Sequence, residues 1–332
     1  MSEPMNLVSL GLCFTDSDRK VLLSSGFKLA EYLQPGDLEG GIKAASAAEV
    51  VCLSNTWMRH LGRDFVSKLE RCRLIVTGGS VEMLDIDEAS FRAISVANCP
   101  RYSAPAVAEH AFTILLALAR RLSHRGERPA GQDMASHDEM IRNWRGFELR
   151  GKTLGLMGYG AVGQALIPIA KGFGMRVVVA RRDLPRLFTR LFQDKKVTFV
   201  RFSDMLPQSD IIISSLPGGI KTRGFFGADT FLNMRKGAIF VNVGRPHTVD
   251  EAELKAALER GDLSGAALDA VTPEGAALLR QMKNVFITPG MGWNTVESAE
   301  RLSEECVRNV TSFFSGKPQN LVMDARTPAG RS

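Results

Sequence analysis

KTLGLMGYGAVGQALIPIAKGFGMRVVVARRD, residues Lys152 to Asp183, decides how the rest of the chain is read. Thr153–Met157 is an apolar run with strand composition, and GYGAVG spaces three glycines as G-x-G-x-x-G. A helical stretch follows, and MRVVVA returns to strand before two arginines. In that strand–turn–helix–strand context the glycine spacing has a mechanism. Gly158 permits the tight bend, Gly160 lets a phosphate approach the backbone, and Gly163 lets helix and strand pack closely. The helix opening at Ala161 and Val162 then presents unpaired N–H groups and a positive dipole end to a pyrophosphate. The segment therefore predicts dinucleotide binding.

The end of the second strand selects the dinucleotide. A site for NAD places an acidic residue on the ribose 2′-hydroxyl about 20 residues after the glycines. Here that place falls on Arg181, followed by Arg182 and then Asp183. A carboxylate repels a 2′-phosphate, whereas a guanidinium grips it with paired charge-assisted hydrogen bonds. The expectation is NADP(H) in preference to NAD(H). The competing reading leaves both arginines solvated and turns Asp183 toward the ribose.

At 332 residues the chain is long for one core, so two domains are expected. An apolar content of 45% with 23% charged residues is ordinary for a globular enzyme. The net charge of +6 is scattered rather than blocked, which argues against a nucleic-acid partner and suits an anionic cofactor and substrate. The five cysteines have no metal or redox spacing, and four sit in apolar contexts, the pattern of buried thiols in a reducing compartment. No stretch has the layout of a signal peptide or a membrane span, so a cytoplasmic protein without a resident metal is expected.

Along the chain, short strands alternate with helices. In the first hundred residues the candidate strands are Leu7–Leu12, Val50–Leu53, Leu74–Thr77 and Ile94–Asn98, with a helical pattern over Arg63–Arg71. A helix over Ala106–Leu122 is apolar around most of its circumference, as buried helices are. Residues 125–147 are polar, with Gly126, Pro129 and Gly131, and read as an extended arm. Strands then recur at Thr153–Met157, Arg176–Ala180, Val197–Val200, Ile211–Leu216, Ala238–Val243, Ala266–Ala270 and Val285–Thr288. Helices fill the gaps, as at Val249–Arg260, and a last one spans about Thr295–Phe314. This alternation predicts an α/β fold of doubly wound, mostly parallel sheets.

Several motifs in sequence order resemble the NAD(P)-dependent D-isomer-specific 2-hydroxyacid dehydrogenases over nearly the whole chain. They are VAEHAFTILLALAR (Val107–Arg120), LRGKTLGLMGYGAVG, SDIIISSLP (Ser209–Pro217) with Thr222, MRKGAIFVNVGR (Met234–Arg245), VDEAEL (Val249–Leu254) and GAALDAV (Gly265–Val271). The resemblance implies two Rossmann-like domains, with a cofactor domain at 102–296 inserted into a discontinuous substrate domain at 1–101 and 297–332. It implies hydride transfer in a cleft between them, and a homodimer built around the long helix and the arm.

The resemblance also distributes roles. Leu216, Pro217 and Thr222 fall beside the adenosine half, Val243 and Gly244 join the coenzyme contacts, and Asp269 falls near the nicotinamide. Arg245, at a strand's carboxyl end, takes the position that binds the substrate carboxylate and polarises its carbonyl. Glu274, five residues beyond Asp269, takes that of the carboxylate partner of a catalytic histidine.

That histidine is missing. The family's Thr-Pro-His reads here Thr288-Pro289-Gly290, followed by Met291, Gly292 and Trp293. General acid/base help is worth roughly a hundredfold to ten-thousandfold. His247, two residues past Arg245, is the best-placed substitute, with Glu82 and Glu274 as candidate bases; His110 reads as structural, and His60, His124 and His137 as exposed. The substrate loop also departs. Gly79, Ser80 and Val81 keep backbone donors for a carboxylate, but Glu82 stands where glycine is usual. Pointing inward it would favour a cationic or hydroxyl-bearing substrate; pointing outward it is solvated. Pro246 replaces a glycine after Arg245 and stiffens that turn. Trp293 either lines the substrate site or simply packs.

The expected function is an NADP(H)-dependent oxidoreductase acting on a 2-keto or 2-hydroxy acid, or a related carbonyl compound, with altered acid/base machinery. The alternative is a non-redox, nucleotide-bound regulator, or a lyase or isomerase, on the same scaffold.

Overall fold

The computed structural model describes residues 3–61, 63–79, 81–122, 145–180 and 197–325. The chain divides into two compact units, Met1–Ser103 with Thr295–Ser332, and Ala104–Asn294. The first unit opens with β1 (Met5–Leu10), β2 (Phe27–Tyr32), β3 (Val50–Leu53), β4 (Leu74–Thr77) and β5 (Ser95–Asn98). Every residue of VVCL and LIVT is buried, as expected of strands covered on both faces of a parallel sheet. β1 pairs in parallel with both β2 and β3, so the connections on its two sides diverge.

The second unit contains β6 (Thr153–Met157), β7 (Arg176–Ala180), β8 (Val197–Val200), β9 (Ile211–Ser214), β10 (Ala238–Asn242), β11 (Leu263–Leu268) and β12 (Val285–Ile287). They form one parallel sheet in the order β12-β11-β10-β9-β6-β7-β8. Alternate residues serve opposite faces. Val177 and Val179 join Leu154, Ile213 and Val241 under the helix Ala104–Ala119, while Val178 and Ala180 join Ile212 and Phe240 against Phe226 and Leu254. Because β6 pairs with both β7 and β9, the order reverses at β6/β9, and ligands of such sheets bind beyond the carboxyl ends of the strands at that reversal.

The chain returns to the first unit through the helix Val296–Phe314, which buries Leu302, Cys306, Val310 and Phe313. It ends in β13 (Leu321–Met323), antiparallel to β5, and completes the order β13-β5-β4-β3-β1-β2. Cys52 and Cys306 meet in this core with 3.4 Å between sulfurs. Cys13 is the one exposed cysteine. No described helix is long and apolar enough to cross a membrane.

The α/β class with two parallel-stranded sheets agrees with the sequence, and several boundaries differ. The expected helix Arg63–Arg71 is a 3-10 run, Arg63–Lys68. β1 starts and stops two residues before the expected Leu7–Leu12, and β11 begins at Leu263 rather than Ala266. β2 was not expected because FKLAEY mixes lysine and glutamate into a strand at the sheet edge. The arm falls mostly at 123–144, outside the described residues.

Candidate functional site

The glycine turn sits where β6 ends. Gly158 has φ +106°, and a Cβ there would lie 2.8 Å from Ser215 Oγ in the loop after β9. Gly163 is buried one turn into the helix Ala161–Gly172, where a Cβ would collide with the Gly158 carbonyl oxygen; only glycine fits. Gly160 caps that helix without any side-chain hydrogen bond, and nothing stands within 4 Å of where its Cβ would be. Ala161 and Val162 form the first turn, both partly buried. The result is an open helix N-terminus at the sheet's reversal point, with N–H groups for an anion.

Two neighbouring loops converge on it. After β9, Leu216 is partly buried and Pro217 exposed, and Thr222 Oγ1 donates to the Pro217 carbonyl (2.8 Å), closing the loop. After β10, buried Val243 leads to Gly244, which lies against the Leu216 backbone. Arg245 and His247 follow, both exposed. The Arg245 carbonyl accepts from Thr248 Oγ1 (2.7 Å) and Asn242 Nδ2 (3.2 Å), so the turn is fixed through its backbone. Among the described residues the Arg245 guanidinium has no hydrogen-bond or ion-pair partner.

Asp269, one residue past β11, is buried and holds the loop after β12. Its Oδ1 accepts from Thr288 Oγ1 (2.8 Å) and Met291 N (3.0 Å), and its Oδ2 from Gly292 N (3.0 Å). His110 Nε2, on the helix Ala104–Ala119, lies 3.0 Å from Asp269 Oδ1 and 2.9 Å from Thr288 Oγ1. Burial pushes the Asp269 carboxyl up, but hydrogen bonds from His110, Thr288 and Gly292, with the imidazole's charge, outweigh it and hold the group below the ordinary carboxylate range.

Inside this clamped loop, Gly290 has φ +76° and its N–H donates to the Asp269 carbonyl. A Cβ there would make only ordinary contacts, 3.7 Å from Ala270 Cβ, so the backbone conformation rather than crowding suits glycine. Trp293 packs on the core of its unit and donates from Nε1 to the Gly290 carbonyl (3.1 Å). Glu274 is exposed in the first turn of the helix Pro273–Leu279.

In the first unit, β4 leads to Gly78 and Gly79; the Gly79 N–H donates to Thr77 Oγ1 (3.0 Å). Val81 and Glu82 lie on a short 3-10 turn, Val81–Met83, with Glu82 exposed. Ser80, Arg181 and Arg182 fall outside the described residues. His60 is exposed, while His124 and His137 are also outside.

Sequence reasoning missed the grouping of His110, Thr288 and Asp269. A histidine on an otherwise apolar helix was the available signal. It also missed Glu251, buried on the helix Glu251–Glu259, which accepts from Thr272 N (2.9 Å) and steadies the helix that carries Glu274.

The model of the NAD-binding domain of D-isomer-specific 2-hydroxyacid dehydrogenases matches residues 112–292. A glyoxylate reductase of Thermococcus kodakarensis is 34% identical over 318 residues, covering 91% of each chain. A hydroxypyruvate reductase of Blautia hydrogenotrophica is 30% identical over 293 residues, 86% of this chain and 88% of that one. Among solved structures, an acyclic imino acid reductase, Bsp5, in complex with NADPH and D-Arg superposes with a TM-score of 0.80 over 96% of this chain and 100% of that one, at 24% identity, a likeness of fold.

Proposed function

The chain belongs to the D-isomer-specific 2-hydroxyacid dehydrogenase family, and from that premise we propose that it is an NADP(H)-dependent oxidoreductase transferring hydride to or from C2 of a 2-keto or 2-hydroxy acid or a related carbonyl compound. The observation that carries this reading is the convergence of an uncapped, glycine-floored helix N-terminus with the loops after β9 and β10, the second of which ends in an exposed arginine that has no partner among the described residues. These residues fit a dinucleotide. Gly158, Gly160, Ala161, Val162 and Gly163 would hold the pyrophosphate; Leu216, Pro217, Thr222, Val243 and Gly244 would line the rest; Arg181 and Arg182 would take the 2′-phosphate. When bound, the nicotinamide supplies or accepts the hydride.

Arg245 binds the substrate carboxylate and polarises the oxygen on which negative charge develops. In the first unit, Ser80 and Val81 would offer backbone donors to a carboxylate, the Gly79 N–H being taken by Thr77 Oγ1, and Glu82 there and Trp293 in the second unit would shape what else is accepted. Asp269 orders the loop carrying Gly290 and faces the nicotinamide end. Gly290 leaves the histidine position without an imidazole, so proton handling falls to His247, Glu274 or water. A homodimer through the helix Ala104–Ala119, in the cytoplasm, completes the reading. The non-redox alternatives are not favoured, because relatives matching most of the chain carry the names of reductases and of a dehydrogenase.

Two measurements test this. Calorimetric titration with NADPH and NADH reads the coenzyme, and coenzyme oxidation with glyoxylate or hydroxypyruvate reads the chemistry. NADPH binding tighter than NADH, together with substrate-dependent oxidation, is expected; failure to bind either coenzyme would falsify the proposal.

A further inference from the structure

Reduction of a carbonyl and reduction of an iminium make different demands on a site. When hydride adds to a carbonyl carbon, a C–H bond forms, the C=O π pair moves to oxygen, and the resulting alkoxide must take up a proton. When hydride adds to C2 of an iminium, the same C–H bond forms and the π pair settles on nitrogen as its lone pair. The product is a neutral amine, and no proton is needed in that step. In both cases the reduced dinucleotide is oxidised by two electrons.

The carboxyl ends of β10 to β12 are poorly equipped for the first reaction. Position 290 has no side chain, and its backbone is settled at φ +76°. Asp269 is a buried carboxylate with its oxygens occupied, and the Thr288 hydroxyl already donates to it. The His110 Nε2 faces the same two groups. A guanidinium serves as a fixed hydrogen-bond donor rather than as an acid. Among the described residues this leaves exposed His247 and exposed Glu274.

We propose that the preferred substrate is a 2-imino acid in its iminium form, the condensation product of a 2-keto acid with ammonia or a primary amine, and that the product is the corresponding amino acid. This rests on the hydride-transfer reading above and on the assignment of Gly290 to the histidine position. Arg245 takes the substrate carboxylate, and the missing acid costs nothing in the hydride step.

The full-length protein is assayed with NADPH and pyruvate, glyoxylate or hydroxypyruvate, each alone and with ammonium or methylamine. Products are identified by mass spectrometry, and binding of N-methylalanine and of lactate is measured by calorimetry in the presence of NADP+. The expected result is amine-dependent reduction about a hundredfold faster than that of the keto acid alone, N-methylalanine as the product from pyruvate and methylamine, and tighter binding of N-methylalanine than of lactate. Formation of the hydroxy acid at a rate indifferent to amine overturns the imine assignment and leaves hydride transfer to keto acids standing. No reduction in any arm overturns both.

Discussion

His110 Nε2 and Asp269 Oδ1 stand 3.0 Å apart, joining the long apolar helix to the loop after β11. Thr288 Oγ1 lies within hydrogen-bond reach of both groups, and the backbone N–H groups of Met291 and Gly292 point at the same carboxylate. The loop carrying Gly290 is therefore held by a buried anion. Removing one partner from such a network leaves several donors without an acceptor, which costs more than the bond removed.

Asp269→Asn is expected to destabilise the protein at neutral pH by about 1–3 kcal/mol. The carboxyl titrates lower in the folded state than its ordinary value. Its contribution is thus fully present above the unfolded-state pKa of about 3.9 and is lost as pH falls through the lower folded-state pKa. Melting temperatures measured from neutral pH down to about pH 3 should fall more steeply for the natural protein than for the variant. Parallel curves would show that Asp269 does not carry this linkage.

The two glycines of the helix start should separate stability from binding. Gly163→Ala forces a methyl group against the Gly158 carbonyl and should cost about 1–3 kcal/mol. Gly160→Ala meets open space and should change stability by only a few tenths of a kcal/mol. It should nevertheless weaken NADPH binding by roughly tenfold, about 1.4 kcal/mol, because a phosphate must come against that backbone. Thermal melting and calorimetry on the same two preparations read both effects.

What the sequence made legible followed physical type. Thr153–Met157 and Arg176–Ala180 were read to the residue because strands covered on both faces are short apolar runs, and Val197–Val200, half-exposed at an edge, because three of its four residues are apolar. FKLAEY escaped because lysine and glutamate break its apolar pattern, Lys28 facing water and Glu31 pairing with Arg19. The glycine turn was legible because its chemistry is local. The surroundings of Asp269 were not: His110 and Thr288 are 178 residues apart, and only the folded sheet brings them to one carboxylate. The left-handed backbone of Gly290 was equally hidden, since a missing side chain does not report the φ angle of the residue that replaces it.

Coenzyme choice should depend on Arg181 and Arg182. A hydrogen bond to a charged group is worth about 1.5–3 kcal/mol. Replacing both arginines by alanine should raise the Kd for NADPH at least tenfold, the change that about 1.4 kcal/mol produces, and leave that for NADH nearly unchanged. An equal loss for both coenzymes would move the 2′-phosphate site elsewhere.

Arg245→Ala should reduce kcat/KM by about a hundredfold to a thousandfold. Its effect on melting should be small, because the turn after β10 is held through the Arg245 carbonyl rather than its exposed side chain. Comparable activity in the variant would remove Arg245 from the chemistry.

Gly290→His tests whether the loop can accept the missing group. Space is available, since a Cβ would touch Ala270 Cβ only at 3.7 Å. The backbone at φ +76° is the obstacle, and a left-handed residue with a side chain costs roughly 1–2 kcal/mol. Gly290→Ala incurs the same penalty without adding an imidazole and serves as the control. Both variants should melt lower than the natural protein by similar amounts. Only the histidine variant should gain reduction of pyruvate or glyoxylate in the absence of amine, by about a hundredfold where the imidazole is correctly placed. That gain should fade as pH rises and the imidazolium proton is lost, about pH 6.5 for an unperturbed histidine. Equal activity in the histidine and alanine variants would show that position 290 does not face the reacting oxygen, and the proton donor would then have to be sought at His247.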